Sequence, residues 1–309
     1  MFKLTDRYNR EYALGPTHEE LFTLASMSKV KSYRDLPFIT YQISPKYRDE
    51  VRPRLGLIRT REFTMKDAYS FDKDYEGLDI SYKKMFAAYH KLFTELGIDY
   101  TVVKADTGAM GGLLSEEFHA VTDIGEDTLV LCDSCDYSSN LEISKNIPEE
   151  KENVEERELE LEKTPNKHTI EEVCKFLNIN IKKTVKALIM NIDNNLVLFF
   201  IRGDRELNET KVLKLLGANE IGFANDELIS MSNAVPGYTG PINLKGAKIV
   251  IDNEVLNMKN FCCGANKEGY HYINANIKDF NYDMVGDIVN VKEGDICPNC
   301  GGKLLLKKE

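Results

Sequence analysis

Two Cys-X-X-Cys pairs constrain the folding of this chain more than any other feature. Cys132-Asp-Ser-Cys135 lies before the midpoint, and Cys297-Pro-Asn-Cys300 lies close to the last residue. Two such pairs supply the four thiolates of a tetrahedral structural zinc site, with no open position for catalysis. Gly301 and Gly302 follow the second pair, where tight-turn geometry suits a metal knuckle. To bring the pairs together, the fold must return the chain to its starting point after residues 136–296. That happens if the intervening segment is a domain inserted into another. A redox pair or unrelated thiols is the other reading, and seven cysteines is an odd count.

A second feature is chemical. Tyr47 to Asp72 reads as two strands joined by a basic loop, with Arg48, Arg52, Arg54, Arg59 and Arg61 along it and Glu50 and Glu62 between them. The whole chain has a formal net charge of −10, so such a cluster calls for a specific anion, phosphate above all. Arginine's planar fork matches phosphate oxygens bidentately. An ordinary charged hairpin, whose surface ion pairs contribute little, fits the same pattern. The acidic balance argues against a nonspecific nucleic-acid coat but leaves room for a local basic groove.

Length and hydropathy set the frame. At 309 residues and 42% hydrophobic content, the chain has room for two domains. No apolar run is long enough to cross a bilayer, and the N-terminal stretch lacks the pattern of a signal peptide. A cytoplasmic protein with no membrane partner is expected.

Residues 1–136 read as one α/β unit. Arg10 to Leu14 is extended, and Thr17 caps a helix reaching about Lys31, with Glu20 completing a capping box. Phe38–Pro45 and Asp49–Thr64 carry β-like segments. Tyr82–Leu96 is an amphipathic helix stopped by Gly97. Strands at Tyr100–Val103 and Glu117–Val121 flank a turn containing Gly108, Gly111 and Gly112. Residues 137–165 form a charged connector, solvated or an exposed helix. Residues 166–290 form a second, mixed α/β domain. Its expected elements are a helix at Thr169–Leu177, a short one near Ile181, a buried strand at Asn195–Arg202, a helix at Asp204–Leu216 and a strand at Lys248–Asp252. Residues 291–309 return to the first domain through Lys303–Leu306.

The phrases YALGPTHEE (Tyr12–Glu20), YRDEVRPRLGLIRTREFTMKDAYSFD and ADTGAMGG (Ala105–Gly112) resemble bacterial-type prolyl-tRNA synthetases. The resemblance implies a class II catalytic domain built on an antiparallel sheet, carrying an inserted editing domain. Arg48 then holds the α-phosphate of ATP and Glu50 contacts its adenine end. Phe63 stacks on adenine, and Arg59 belongs to the same ATP motif. Thr17, Glu19 and Glu117 fall in the proline pocket. Mg-ATP, proline and tRNA are the implied ligands, and a homodimer the implied state of the full enzyme. The match begins after the family's dimerisation motif and stops before its third catalytic motif and anticodon-binding domain. That implies an internal portion, unable to complete proline activation alone.

The second half resembles the family's editing module through KTVKAL, FFIRGDRELNETKV, VPGYTGPI and KIVIDNEV. The resemblance makes Lys186 essential for deacylation of mischarged alanyl-tRNA. Gly237 and Pro241 form a rigid turn around the aminoacyl ester, Asp252 is a pocket acid, and His271 shapes selection of the alanyl group. A pocket that accepts proline cannot exclude smaller alanine sterically, since a missing methylene is worth only about 1–3 kcal/mol. A second, hydrolytic pocket removes the error. Two other readings stand beside this one: a stand-alone trans-editing deacylase, or a noncatalytic protein that binds tRNA or another partner.

Overall fold

The computed structural model describes residues 1–53, 56–105, 114–120, 122, 125, 127–151 and 153–308. Arg54, Val121 and the turn glycines Gly108, Gly111 and Gly112 lie outside them. The chain divides into two compact units, Met1–Ile98 and Asp99–Glu309.

In the first unit, β1 (Lys3–Thr5) pairs with β2 (Glu11–Ala13), followed by α1 (Glu19–Lys29), β3 (Phe38–Tyr47), β4 (Glu62–Phe71) and α2 (Tyr75–Glu95). β3 and β4 are antiparallel in unbroken register from Phe38↔Phe71 to Tyr47↔Glu62. The strand expected over Asp49–Thr64 is therefore mostly loop. Pro53 has no N–H to give a ladder, and Gly56 sits at φ +63°. The capping box expected for α1 is absent. His18 holds the cap position without a side-chain capping bond, and the Thr17 hydroxyl donates to Glu19 instead. α2 begins at Tyr75 rather than Tyr82, because the Asp74 carboxylate accepts the Gly77 amide at 2.8 Å. It ends as expected: Gly97 N–H bonds the Thr94 carbonyl and Ile98 N–H that of Phe93, both at 3.1 Å.

The second unit runs β5 (Tyr100–Lys104), β6 (Glu116–Ala120), β7 (Thr128–Cys132), β8 (Ser138–Asn140), β9 (Glu160–Lys163), α3 (Ile170–Leu177), β10 (Val185–Ile192) and β11 (Asn195–Arg202). It continues with α4 (Glu209–Leu216), β12 (Ile221–Phe223), α5 (Asp226–Ile229), β13 (Lys248–Asp252), β14 (Phe261–Gly264), β15 (Tyr270–Ala275), β16 (Met284–Gly286) and β17 (Leu304–Lys308). Among the described residues three sheets result, in the orders β17-β7-β8-β5-β6, β12-β10-β11-β13-β16 and β14-β15-β9.

β11 organises the central sheet. Its sequence NLVLFFIR is apolar on both faces, as a fully covered strand must be. Alternation sends Leu196, Leu198 and Phe200 into one hydrophobic cluster and Val197, Phe199 and Ile201 into another. β10 meets it across a turn in which Asp193 and Asn194 adopt φ +47° and +65°, the pattern of a type I′ hairpin. β13 adds in parallel to β11, and β16 to β13.

Three expectations change here. Part of the charged connector is strand rather than coil or helix: Glu160–Lys163 is the edge strand β9 paired to β15, and three of its four residues are exposed. Charged side chains suit such an edge. The helix expected from Asp204 starts at Glu209, where the Asn208 side chain accepts the Lys211 amide. Asp204 and Arg205 are drawn instead into ion pairs. The short helix near Ile181 is a 3₁₀ turn, Ile181–Lys183. β17 lies antiparallel on β7, so the chain does return to the sheet containing β5–β8. No described helix is long and apolar enough to cross a membrane.

Candidate functional sites: a lysine cavity, a cysteine cluster and an arginine hairpin

A cavity of about 240 Å³ opens beside β10, and Lys186, Gly237 and His271 all line it. Lys186 is half-buried on β10. Burial lowers its pKa, while the Glu206 carboxylate acts in the opposite sense. His271 lies on β15, 7% exposed, with Nδ1 2.6 Å from the Thr164 hydroxyl. Burial pushes its pKa down to about 4, which makes it a neutral imidazole at physiological pH. The Tyr238 ring sits 5.6 Å from His271 and 5.1 Å from His168, linking two imidazoles across the site.

Close backbone approach shapes one wall. Gly237 holds φ +85°, and a Cβ there would meet His168 Nδ1 at 3.2 Å. A Cβ on Gly264 would stand 2.3 Å from the carbonyl oxygens of Tyr238 and Thr239. Only glycine lets the 238–240 loop lie against β14 so closely. Asn266 pins that contact: its side chain accepts the Gly240 amide at 3.0 Å and donates to the Gly240 and Ile242 carbonyls, each at 2.9 Å.

Two of the expected residues are placed differently. Pro241 and Asp252 are not among the residues lining this cavity. Asp252 ends β13 and accepts the Glu254 amide at 2.8 Å and the Ile288 amide at 3.0 Å. Burial pushes its pKa up to about 6. Thr164, His168, Tyr238 and Asn266 were not singled out in the sequence. The glycine-flanked phrase Gly264-Ala265-Asn266 was the available signal for the last of them.

The four cysteines of the two Cys-X-X-Cys pairs come together, with all four Sγ atoms within 4.8 Å of one another. Cys132 and Cys300 are 3.5 Å apart, and Cys135 and Cys297 are 3.7 Å apart. Four thiolates around one ion with metal–sulfur bonds of about 2.3 Å stand ~3.8 Å apart, so the cluster has the size a tetrahedral metal requires. Backbone amides support it: Ser134 N–H points to Cys132 Sγ at 3.3 Å and Gly302 N–H to Cys300 Sγ at 3.3 Å. The cluster can coordinate a metal. Arg205 grips Glu254 through two bonds of 2.8 and 2.6 Å and Asp295 through two of 2.7 and 2.9 Å. That buried arginine ties the loop before Cys297 to the turn after β13.

In the first unit, Arg48, Glu50, Arg59 and Phe63 gather at the base of the β3–β4 loop. The Arg48 guanidinium lies 5.3 Å from the centre of the Phe63 ring. Arg59 Nε donates to Glu50 Oε2 at 3.0 Å, and Arg61 Nε to the Glu50 carbonyl at 2.8 Å. Thr17 and Glu19 are bonded to each other at the start of α1. Glu117 belongs to the second unit, on β6, with Oε2 2.8 Å from His119 Nε2. A buried group missed in the sequence lies between β3 and β4. Asp67 accepts from Lys46 at 3.1 Å, from Gln42 at 3.0 Å and from the Tyr69 hydroxyl. Against the burial that opposes ionisation, these donors hold its pKa down at about 2.

Residues 2–159 match the family described as tRNA synthetase class II core domain (G, H, P, S and T), and residues 164–280 match the aminoacyl-tRNA editing domain. The chain is 50% identical over 302 residues to a proline–tRNA ligase of Caldicellulosiruptor saccharolyticus, covering 97% of this chain and 53% of that protein. A proline–tRNA ligase of Thermoanaerobacter sp. strain X514 is 49% identical over 318 residues, covering 100% and 55%. One from Syntrophomonas wolfei is 49% identical over 308 residues, covering 98% and 54%. The chain thus spans about half the length of the curated relatives it matches. With more than half its length in the core-domain match and its sequence aligned throughout with these ligases, the chain belongs to the class II aminoacyl-tRNA synthetases of the bacterial prolyl type, with an editing domain in its second half.

Proposed function

We propose that residues 166–290 hydrolyse alanyl-tRNA bearing the proline anticodon, and that residues 1–136 contribute to an ATP-dependent, cytoplasmic proline–tRNA ligase. The observation carrying the editing reading is the meeting of Lys186, Gly237 and His271 around one small cavity inside the segment that matches the editing domain. In the reaction, water attacks the ester carbonyl and the bond to the ribose oxygen breaks. Alanine leaves as a carboxylic acid that ionises, and the terminal adenosine regains its hydroxyl. The Lys186 ammonium suits the phosphate of that nucleotide or the charge developing on the carbonyl oxygen. Neutral His271, held by Thr164, packs beside the acyl group and does not repel its ammonium. Asp252 acts on the pocket indirectly, by fixing the turn after β13.

In the first unit, Arg48, Glu50, Arg59 and Phe63 suit the phosphate and adenine of Mg-ATP, and Thr17 and Glu19 suit proline; Glu117, in the second unit, is assigned to proline by the family resemblance alone. Arg–phosphate forks stabilise the charge that develops as the proline carboxylate attacks and pyrophosphate leaves. The division into residues 1–136, 137–165, 166–290 and 291–309 fits this reading, as does a homodimer of the full enzyme. We assign the four-cysteine cluster to structural zinc, clamping the inserted domain to its host. One zinc per chain in anaerobically purified protein, lost with stability in Cys132→Ser, is the expected result. No zinc and unchanged stability would overturn it.

The primary test compares hydrolysis of alanyl-tRNA carrying the proline anticodon by the purified chain and by Lys186→Ala. Turnover by the parent and not by the variant is expected. A folded parent without turnover would defeat autonomous editing.

A further inference from the structure

The lysine cavity has a neighbour. A groove of about 790 Å³ runs on the other side of Cys262, lined by Phe176, Leu177, Ile179, Ile273 and Asn274 and by part of the connector that precedes β9. α3 covers both spaces: Ile170 and Val173 at its start line the cavity, while Phe176 and Leu177 at its end line the groove. Cys262 is the residue common to the two linings.

The backbone explains why this residue stands there. Phe261 pairs with Ala275 and Cys263 with Tyr272, so β15 carries one extra residue opposite Cys262. That bulge, at Ile273 and Asn274, takes Cys262 out of regular pairing with β15, and it bridges to Thr184 instead. Alternation places Phe261 and Cys263 in the central hydrophobic cluster, leaving Cys262 on the opposite face of β14, towards α3. Its side chain is 3% exposed. Burial pushes its pKa up to about 12, so it packs as a small neutral group and is no nucleophile.

We propose that Cys262 is a partition that sets acyl length in this cavity, as the residue that lines both the smaller cavity and the larger groove. The inference rests on the editing reading of the cavity and names the residue that keeps longer aminoacyl groups out. A methylene admitted or refused by an apolar pocket changes a rate by about 10- to 200-fold. Removing the thiol would open space next to the cavity for one more carbon, and enlarging the side chain would take space from it.

The test measures hydrolysis of the same tRNA charged with alanine or with 2-aminobutyrate, which is one methylene longer. Cys262→Ala should raise the 2-aminobutyryl rate relative to the alanyl rate on the order of tenfold. Cys262→Ser, nearly isosteric, should leave the ratio unchanged. A folded Cys262→Ala with the parent's ratio overturns the proposal. If that variant does not fold, Cys262→Val decides: a loss of alanyl hydrolysis of about tenfold supports the partition, and a parental rate overturns it. A parent that hydrolyses neither ester defeats the editing reading instead. The partition is then judged by a crystal structure of Cys262→Ala, where one continuous cavity supports it and two separate cavities overturn it.

Discussion

The chain contains two long antiparallel hairpins of opposite character. β10–β11 turns in two residues and buries seven of the eight positions of β11. β3–β4 pairs ten residues but buries only Lys46 and Asp67 among them. Ile39, Tyr41 and Ile43 on β3 are 48%, 70% and 68% exposed. The first hairpin is held by apolar contact on both faces. The second is held by its ladder and by one buried ion pair, and it presents arginines on a long loop. The difference teaches that in this protein the positions most tied to stability and the positions proposed to bind ATP lie on different strands.

Core truncation should separate the hairpins most widely. Phe200→Ala, at a fully buried site, should cost about 3–5 kcal/mol in urea denaturation. Ile43→Ala should stay within about 0.5 kcal/mol. Similar losses would erase the contrast. Arg205→Ala should come next, at roughly 3–5 kcal/mol, since it strands Glu254 and Asp295 without their buried partner. Its counterpart Arg59→Ala removes a partly exposed pair with Glu50. It should cost about 1 kcal/mol or less while weakening ATP binding.

Acidity gives a smaller and more specific readout. Asp252 has its folded pKa raised to about 6 from 3.8. Its contribution to stability is therefore present below pH ~4 and lost as pH rises through ~6. Asp252→Asn should gain on the parent by roughly 3 kcal/mol between those limits if the turn is kept. His271 acts in the opposite sense over nearly the same window. Its folded pKa is lowered to about 4 from 6.5, so its contribution is present above pH ~6.5 and is lost on acidification towards 4. In Asp252→Asn, stability measured by thermal melts should rise more steeply from pH 4 to 6.5 than in the parent. An unchanged slope would mean Asp252 is not held neutral by burial.

Much of the fold was legible in the residues. β11 and β13 span the expected Asn195–Arg202 and Lys248–Asp252, because continuous apolar runs bounded by Asn and Asp leave little choice. Three expected editing residues share one cavity. Other features carry no local signal. β9 is charged at three of its four positions and becomes a strand only because β15 offers it an edge. Asp252 was expected in the pocket, yet its carboxylate spends its hydrogen bonds on Glu254 and Ile288, the second distant in sequence. Thr164 gained its importance from a partner on β15.

The sequence by itself determined the two Cys-X-X-Cys pairs, the buried strands, the arginine-rich loop and the family, since each is written in neighbouring residues or in short phrases. Only the tertiary structure decided that the cysteines meet, that Arg205 joins Glu254 to Asp295, and that Cys262 stands between two cavities. The physical reason is range. Hydrophobic periodicity and backbone chemistry act over a few residues, whereas a metal-sized cluster, a buried ion pair and a cavity wall exist only after distant segments have packed.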